Sequence, residues 1–167
     1  MEVSLTLRAA SARDLDAIMA IERAPGFERW VGRSSAPEHR AMMDDANTAY
    51  LVGEADGEVV AFAILRDLGD PHGNRYLKRV AVARPGVGVG RAFLQGVVDW
   101  TFNRADAHRF WLDCFSHNAR AQRVYENLGF TRDGILREAY VGADGVRRDL
   151  TMMALTRPQW AERSGRD

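Results

Sequence analysis

Three alternating glycines, Gly86, Gly88 and Gly90, separate a segment rich in β-branched residues from a segment with helical periodicity. The segment before them, 77–82, has strand composition, and the segment after them repeats apolar residues at i, i+4 and i+7. Glycines at a strand-to-helix turn let backbone N–H groups approach an anion, and the helix dipole adds positive potential there. The pattern therefore predicts a phosphate-binding turn, with a flexible glycine-rich loop as the alternative.

Two well-known phosphate-binding loops do not fit this turn. A Walker A loop requires a lysine after its last glycine, and here Arg91 and Ala92 stand in that neighbourhood. A dinucleotide-binding fingerprint would require glycine or alanine at 91 or 93, which are Arg91 and Phe93. If the turn binds a phosphate, it therefore belongs to another kind of anion site.

A second motif lies downstream and is more specific. Residues 118–130 match Asn-x-x-Ala-x-x-x-Tyr-x-x-x-Gly-Phe at every defining position, and this pattern resembles the signature of the GNAT superfamily of N-acetyltransferases. The pyrophosphate loop of that family, Gln/Arg-x-x-Gly-x-Gly/Ala, aligns its glycines with Gly88 and Gly90 and its first position with Pro85. Proline at that position is a departure, because it has neither a side-chain donor nor a backbone N–H.

The resemblance implies acetyl-CoA as co-substrate and no metal. It places CoA contacts on the strand before the glycines, on the turn and on the signature helix. The residues are Val80, Ala81, Val82, Gly86, Val87, Gly88, Val89, Gly90, Arg91, Asn118, Ala121 and Tyr125.

The family chemistry is direct attack of a neutral amine on a thioester, and the resemblance makes Tyr125 the acid that protonates the leaving thiolate. The alternative for Tyr125 is core packing, because it belongs to an apolar stripe at i, i+3, i+4 and i+7. Asp113 is the candidate base, since it stands five residues before Asn118, where related members carry a glutamate. A salt bridge to an arginine such as Arg79 is the alternative for Asp113.

Two further groups of residues bear on the reaction. Cys114 raises the alternative of an acyl-cysteine intermediate, although strand alternation places it on the opposite face from Asp113. In the family, the acceptor is bound by the connection between the first two helices and by the last hairpin. In these segments the acceptor-binding candidates are Phe27, Trp30, Glu138 and Tyr140. For Phe27 and Trp30, the alternative is that their rings pack into the core beside their own loop.

Composition limits the class of protein. The 167 residues fit a single domain, 1–167, and the 23 basic residues equal the 23 acidic ones, so no net field favours nucleic acid or a membrane. One cysteine allows no internal disulfide, and the start of the chain lacks a secretory pattern, so we expect a cytoplasmic protein. The candidate assembly is a homodimer.

The element order predicted from periodicity and turn residues is β-α-α-β-β-β-α-β-α-β-β, which indicates a mixed α/β protein. This is also the order of the GNAT fold, in which the sheet is mixed but mostly antiparallel. The resemblance therefore implies acetyl-CoA-dependent transfer to a primary amine on a protein N-terminus, a polyamine or a small molecule. A non-catalytic acyl-CoA sensor or interaction module is the alternative.

Overall fold

The computed structural model describes residues 4–27, 30–85 and 88–165. Within these residues, seven strands and four α-helices follow each other in the predicted order, and a fifth α-helix comes after the last strand. In chain order they are β1 (Thr6–Ala9), α1 (Leu15–Glu22), α2 (Ala36–Asp44), β2 (Ala49–Ala55), β3 (Glu58–Arg66), β4 (Asn74–Val82), α3 (Val89–Asn103), β5 (Arg109–Phe115), α4 (Ala119–Asn127), β6 (Thr131–Val141), β7 (Arg147–Thr156) and α5 (Arg157–Ser164).

The strands form a single seven-stranded sheet in the order β1-β2-β3-β4-β5-β7-β6. Neighbouring strands are antiparallel except β4 and β5, which are parallel and are connected through α3. The predicted mixed, mostly antiparallel sheet is confirmed. Because β4 and β5 run in the same direction, their carboxyl ends, and the helices that follow them, lie at one edge of the sheet.

The pairing between β4 and β5 is short. It joins only Asn74 to Arg109, Arg75 to Phe110 and Tyr76 to Trp111, although both strands continue. One residue further, β4 has a bulge, since Leu65 pairs with Leu77 whereas Ile64 pairs with Arg79. The extra residue is Lys78, and a bulge of this kind bends the strand that carries it. The two strands therefore separate in the middle of the sheet.

Two apolar cores cover the two faces of the sheet. On one face, α3 packs Phe93, Val97 and Phe102 against alternate residues of β3 and β5. On the other face, α1 packs Ile18 and Ile21 against the opposite alternation of β2 and β3. Because successive side chains of a strand point to opposite faces, each strand residue packs either on the α3 side or on the α1 side of the sheet.

Local sequence explains most helix boundaries. Ser35 caps α2, its hydroxyl accepting the Glu38 N–H while the Glu38 carboxylate accepts the Ser35 N–H. The α5 helix was missed in the sequence prediction, although Thr156 and Gln159 form the same kind of capping box with a proline in the first turn. Among the described residues, no helix has the length and apolar character needed to cross a membrane.

A buried carboxylate connects α1, α2 and β4. Glu22 is 0% exposed, and its oxygens accept from Arg79 Nη1 at 3.1 Å and from the Arg23 guanidinium. His39, also 0% exposed, places Nε2 2.8 Å from Glu22 Oε1 and Nδ1 2.8 Å from the Tyr50 hydroxyl. Burial of an ionised carboxylate is tolerated only with such partners.

We expect Glu22→Gln to unfold more easily, because it leaves two arginines without their anion. Loss of one partner of a buried ion pair costs about 3–5 kcal/mol, which lowers the Tm of a chain of this size by roughly 6–20 °C. Differential scanning calorimetry measures the shift. The exposed Glu58→Gln is the matched control and should change stability by less than about 0.5 kcal/mol. Equal Tm values for the two variants would contradict a structural role for the network.

Candidate active site

The separation of β4 and β5 opens a cleft of about 360 Å³ in the middle of the sheet. Its walls come from both strands, from α4 and β6, and from the loop between α1 and α2. Among the residues that line it are Trp30, Tyr76, Lys78, Val80, Asp113, Cys114, Asn118, Ala121, Tyr125 and Tyr140. Since the cleft lies between two strands, it is lined by residues from both faces of the sheet.

Asp113 is on the wall that faces the α1 and α2 side of the sheet. Its Oδ2 accepts a hydrogen bond from the Tyr76 hydroxyl at 3.1 Å, and the Tyr76 ring stacks on Trp111 with centroids 4.1 Å apart. Burial raises the pKa of Asp113, while the Tyr76 hydrogen bond and the nearby Lys78 act in the opposite direction. Arg79 does not pair with Asp113, because its guanidinium binds Glu22. The salt-bridge alternative with Arg79 is therefore wrong.

Tyr125 and Cys114 belong to the other side of the cleft. Both pack against the core that α3 covers, and the Tyr125 ring contacts Phe130 edge to face at 5.9 Å. Burial raises the pKa of Tyr125, so its phenol stays protonated at neutral pH. Burial and the neighbouring Asp113 raise the pKa of Cys114 to about 11, so its thiol stays protonated as well. Tyr125 thus combines packing with a position on the cleft wall.

The signature helix is held at the cleft by its first residues. Asn118 caps α4, its side-chain oxygen accepting the Ala121 N–H at 3.1 Å. Gln122 is buried, and its amide donates to the Ser116 carbonyl at 2.9 Å. These bonds fix the turn between β5 and α4, and Ala121 and Tyr125, four residues apart, consequently share the face that lines the cleft.

The glycine turn lies where β4 passes into α3. Gly88 is the N-cap residue of α3 with φ +82°, a conformation that favours glycine, and a Cβ built on it would meet no atom of the described residues within 4 Å. Among the same residues, a Cβ on Gly90 would approach only Val82 Cγ2, at 3.5 Å. The space in front of both glycines is therefore open. Gly86 and Val87 lie outside the described residues.

The remaining cofactor candidates occupy different environments. Val80 lines the cleft, whereas Ala81 is buried in the core on the other face and Val82 is partly buried beside Gly90. Val89 is the first residue of α3, and Arg91 is exposed and faces a separate depression near Trp160. Only some of these side chains are thus brought to the cleft, although backbone groups of β4 run past it.

Aromatic rings from three segments of the chain meet at the cleft. The Phe115 ring contacts Trp30 at 6.2 Å, His117 at 5.4 Å and Tyr140 at 5.0 Å between centroids. Trp30 is 45% exposed and Tyr140 44% exposed. We call these four residues the aromatic cluster.

The other two acceptor candidates lie away from the cleft lining. Phe27 packs against the core beneath α1, as the local-core alternative predicted. Glu138 has φ +54° in a wide bulge of β6, and its N–H donates to Asp149 Oδ1 at 2.8 Å. At Glu138 the structure therefore shows a backbone bulge and a backbone hydrogen bond, and the Glu138 side chain does not line the cleft.

Sequence reasoning missed Tyr76 and Lys78. Tyr76 became relevant only through its pairing with Trp111, two residues before Asp113, and this cross-strand register is not visible in the sequence. Lys78 has its particular position because of the bulge in β4, which the strand composition of 77–82 does not predict. Within the described residues, no cluster of three or more His, Cys, Asp or Glu has an arrangement suited to a metal ion.

Comparison with known proteins agrees with this geometry. A model of the acetyltransferase (GNAT) family matches residues 15–130. The [ribosomal protein bS18]-alanine N-acetyltransferase of Escherichia coli (strain K12) is 41% identical over 68 residues, covering 41% of this chain and 45% of that protein. This chain thus matches less than half the length of that relative.

Two solved structures have similar folds. The spermidine N-acetyltransferase of Vibrio cholerae in complex with CoA and spermine has a TM-score of 0.82 and 21% identity, covering 94% of this chain and 98% of that one. The ribosomal-protein-S18-alanine N-acetyltransferase of Escherichia coli has a TM-score of 0.75 and 28% identity, covering 92% and 94%.

Since the family model covers more than half of the chain, this protein belongs to the acetyltransferase (GNAT) family. The resemblance stated from the signature at 118–130 is confirmed, and so is the predicted class of enzyme, an N-acetyltransferase.

Proposed function

We propose that this protein transfers an acetyl group from acetyl-CoA to a primary amine by direct attack in a ternary complex. The observation that carries the proposal is the placement of Asp113 and Tyr125 on one cleft, from opposite faces of the sheet. The names of two similar proteins give the acceptor as an alanine of a ribosomal protein in one case and as spermidine in the other, and both acceptors are amines. A homodimer and a cytoplasmic location remain predictions from the sequence.

The chain has groups that fit acetyl-CoA. Val80 to Val82 pair with β3 on one side but have no β5 partner on the other, so their outward backbone groups are available to a pantetheine arm. The open turn at Gly88 and Gly90, at the start of α3, suits a pyrophosphate. Bound there, acetyl-CoA supplies an activated thioester.

Asp113 is suited to the role of base. A lysine-like amine has a pKa of about 10.4 and an α-amine about 8, so a proton must leave the nitrogen before or during attack. Desolvation raises the pKa of Asp113, which makes its carboxylate a stronger base than an exposed aspartate. As the N–C bond forms, Asp113 accepts the amine proton directly or through a water.

Tyr125 is suited to the role of acid. Its phenol is protonated and partly buried on the cleft wall that also carries Cys114. As the C–S bond breaks, Tyr125 donates its proton to the departing thiolate. The protonated thiol of Cys114 makes a poor nucleophile, which argues against an acyl-cysteine route.

The first test concerns the glycine turn. Gly90→Asp places a negative charge where the pyrophosphate needs N–H donors, so CoA binding should be lost in isothermal titration calorimetry. Gly90→Ala is the matched control, since its Cβ meets only Val82 at an ordinary contact distance and adds no charge. It should keep measurable affinity. Unchanged affinity in a folded Gly90→Asp protein would contradict the assignment of the turn.

The second test concerns Tyr125. Tyr125→Phe removes one proton donor with little change in volume, so kcat should fall by about ten- to a thousand-fold while CoA affinity changes little. Tyr50→Phe is the control, because Tyr50 is buried and its hydroxyl lies beside His39 in the other core. It should lose stability and keep kcat. If Tyr125→Phe behaved in the same way, packing would be the role of Tyr125.

The third test separates Asp113 from Cys114. With direct attack, Asp113→Asn should lower kcat/KM most at neutral pH, and higher pH should partly restore it because the amine then loses its proton in solution. Cys114 is the next residue on the strand, and Cys114→Ala should leave kcat/KM nearly unchanged. An acetyl adduct on Cys114 in intact-mass spectra, removed by an amine, would instead support a covalent route.

Binding without turnover is the remaining outcome. If the wild-type protein binds acetyl-CoA by calorimetry but releases no thiol with any of a panel of primary amines, the non-catalytic acyl-CoA sensor becomes the better description.

A further inference from the structure

The charges around the cleft restrict the kind of amine that it can take, provided that the proposed function holds. Three described lining residues have side chains with formal charge, namely Lys78, Arg79 and Asp113. The Arg79 guanidinium is already bonded to Glu22 Oε2 and to the Ser34 hydroxyl, each at 3.1 Å. Asp113 is thus the single carboxylate among the described lining residues, and Lys78 is the cation left to a ligand.

Lys78 has an environment that favours an anion. It is the bulged residue of β4, and within the described part of the chain its side chain makes no hydrogen bond or ion pair, although the Asp113 carboxylate is near enough to attract it. Burial lowers the pKa of Lys78, and a negatively charged group beside it would offset that cost. A second ammonium group on the acceptor would instead be repelled by Lys78. With Asp113 engaged by the reacting amine, the described lining offers that group no other carboxylate.

The aromatic cluster indicates a second property of the acceptor. Trp30 and Tyr140 come from segments far from Phe115 and His117 in the chain, yet the four rings pack together at the cleft. Trp30 and Tyr140 leave almost half of their surface open. Half-exposed rings at the edge of a pocket are well suited to cover a flat apolar group.

Aromatic faces also attract ammonium groups, so the rings alone would not exclude a polycation. The charges of Asp113 and Lys78 favour an acceptor with one negatively charged group over a polycation. Asp113 is occupied by the reacting amine, and the remaining ammonium groups of a polyamine would find the Lys78 side chain instead.

We propose that the acceptor is a small amine that carries an aromatic ring and one negatively charged group, with its nitrogen at Asp113, its anion at Lys78 and its ring on the aromatic cluster. An aromatic amino acid has this chemistry. Spermidine, which has several positive charges and no ring, does not.

The experiment measures kcat/KM for acetyl transfer to phenylalanine, phenethylamine, alanine and spermidine. A charge-assisted hydrogen bond contributes about 1.5–3 kcal/mol, so phenylalanine should exceed phenethylamine by roughly 10- to 100-fold. Alanine and spermidine should each be poorer substrates than phenylalanine. Comparison of the four compounds measures separately how much the ring, the anionic group and additional positive charges contribute to kcat/KM.

Variants of Lys78 test the anion site itself. Lys78→Gln should remove the preference for phenylalanine over phenethylamine, and Lys78→Glu should reverse it and improve spermidine. Arg104→Gln, which changes an exposed cation at the end of α3, is the matched control and should leave the order of substrates unchanged. Circular dichroism confirms that each variant is folded.

Trp30→Leu tests the ring site. It should lower kcat/KM for phenylalanine and phenethylamine by about ten-fold, within the range for a lost aromatic pair, and leave alanine nearly unchanged.

Several results would overturn the assignment. Spermidine equal to or better than phenylalanine would refute the acceptor class and leave the proposed function standing. Equal rates for phenylalanine and phenethylamine would refute the role of Lys78. Acetyl-CoA binding with no turnover of any of the four amines would instead contradict the proposed function, and the acceptor assignment with it.

Discussion

The separation of two parallel strands is the constraint on which the rest of this molecule depends. β4 and β5 pair over three residues and then diverge, because β4 carries the extra residue Lys78 and bends. Backbone groups of a central strand normally need a neighbour, and here one side of β4 is left without a strand partner. In the proposed complex, the pantetheine arm takes the place of that missing strand. The cleft opens at this position, and Asn118 and Ala121 at the N-terminus of α4 line it.

A second constraint keeps the Trp30 side of the cleft in place. The described residues between α1 and α2 form no strand, yet they bring Trp30 to the cleft. Ser34, a few residues on, receives hydrogen bonds from both Arg23 and Arg79, and both arginines bind the buried Glu22. A carboxylate with no exposure can exist only when such partners surround it, so the network ties the loop to β4. The same network occupies Arg79, so that among the described residues of the cleft lining Lys78 is the cation without a bonded partner.

The sequence predicted those features that depend on local chemistry. Periodicity and turn residues predicted the order of the elements from β1 to β7, the strand that ends at Val82 and the helix after the glycine turn, because each depends on neighbours within a few residues. The contact between Tyr76 and Asp113 depends on strand order and register, and that between Arg79 and Glu22 joins residues 57 apart in the chain. No short pattern encodes such pairs. The α5 helix is different, since its capping box at Thr156 was present in the sequence and was overlooked.

Strand alternation explains how a single cleft can hold both the proposed acid and the proposed base. Asp113 and Cys114 are adjacent, so they point to opposite faces of the sheet, and Asp113 shares its face with Tyr76 whereas Cys114 packs beside Tyr125. In an unbroken sheet these faces would be separated by paired backbone. Because β5 has lost β4 as its neighbour at this level, both faces open into one space. In the proposed reaction the amine therefore enters from the α1 and α2 side, the thiolate leaves toward the α3 and α4 side, and each meets its own proton partner.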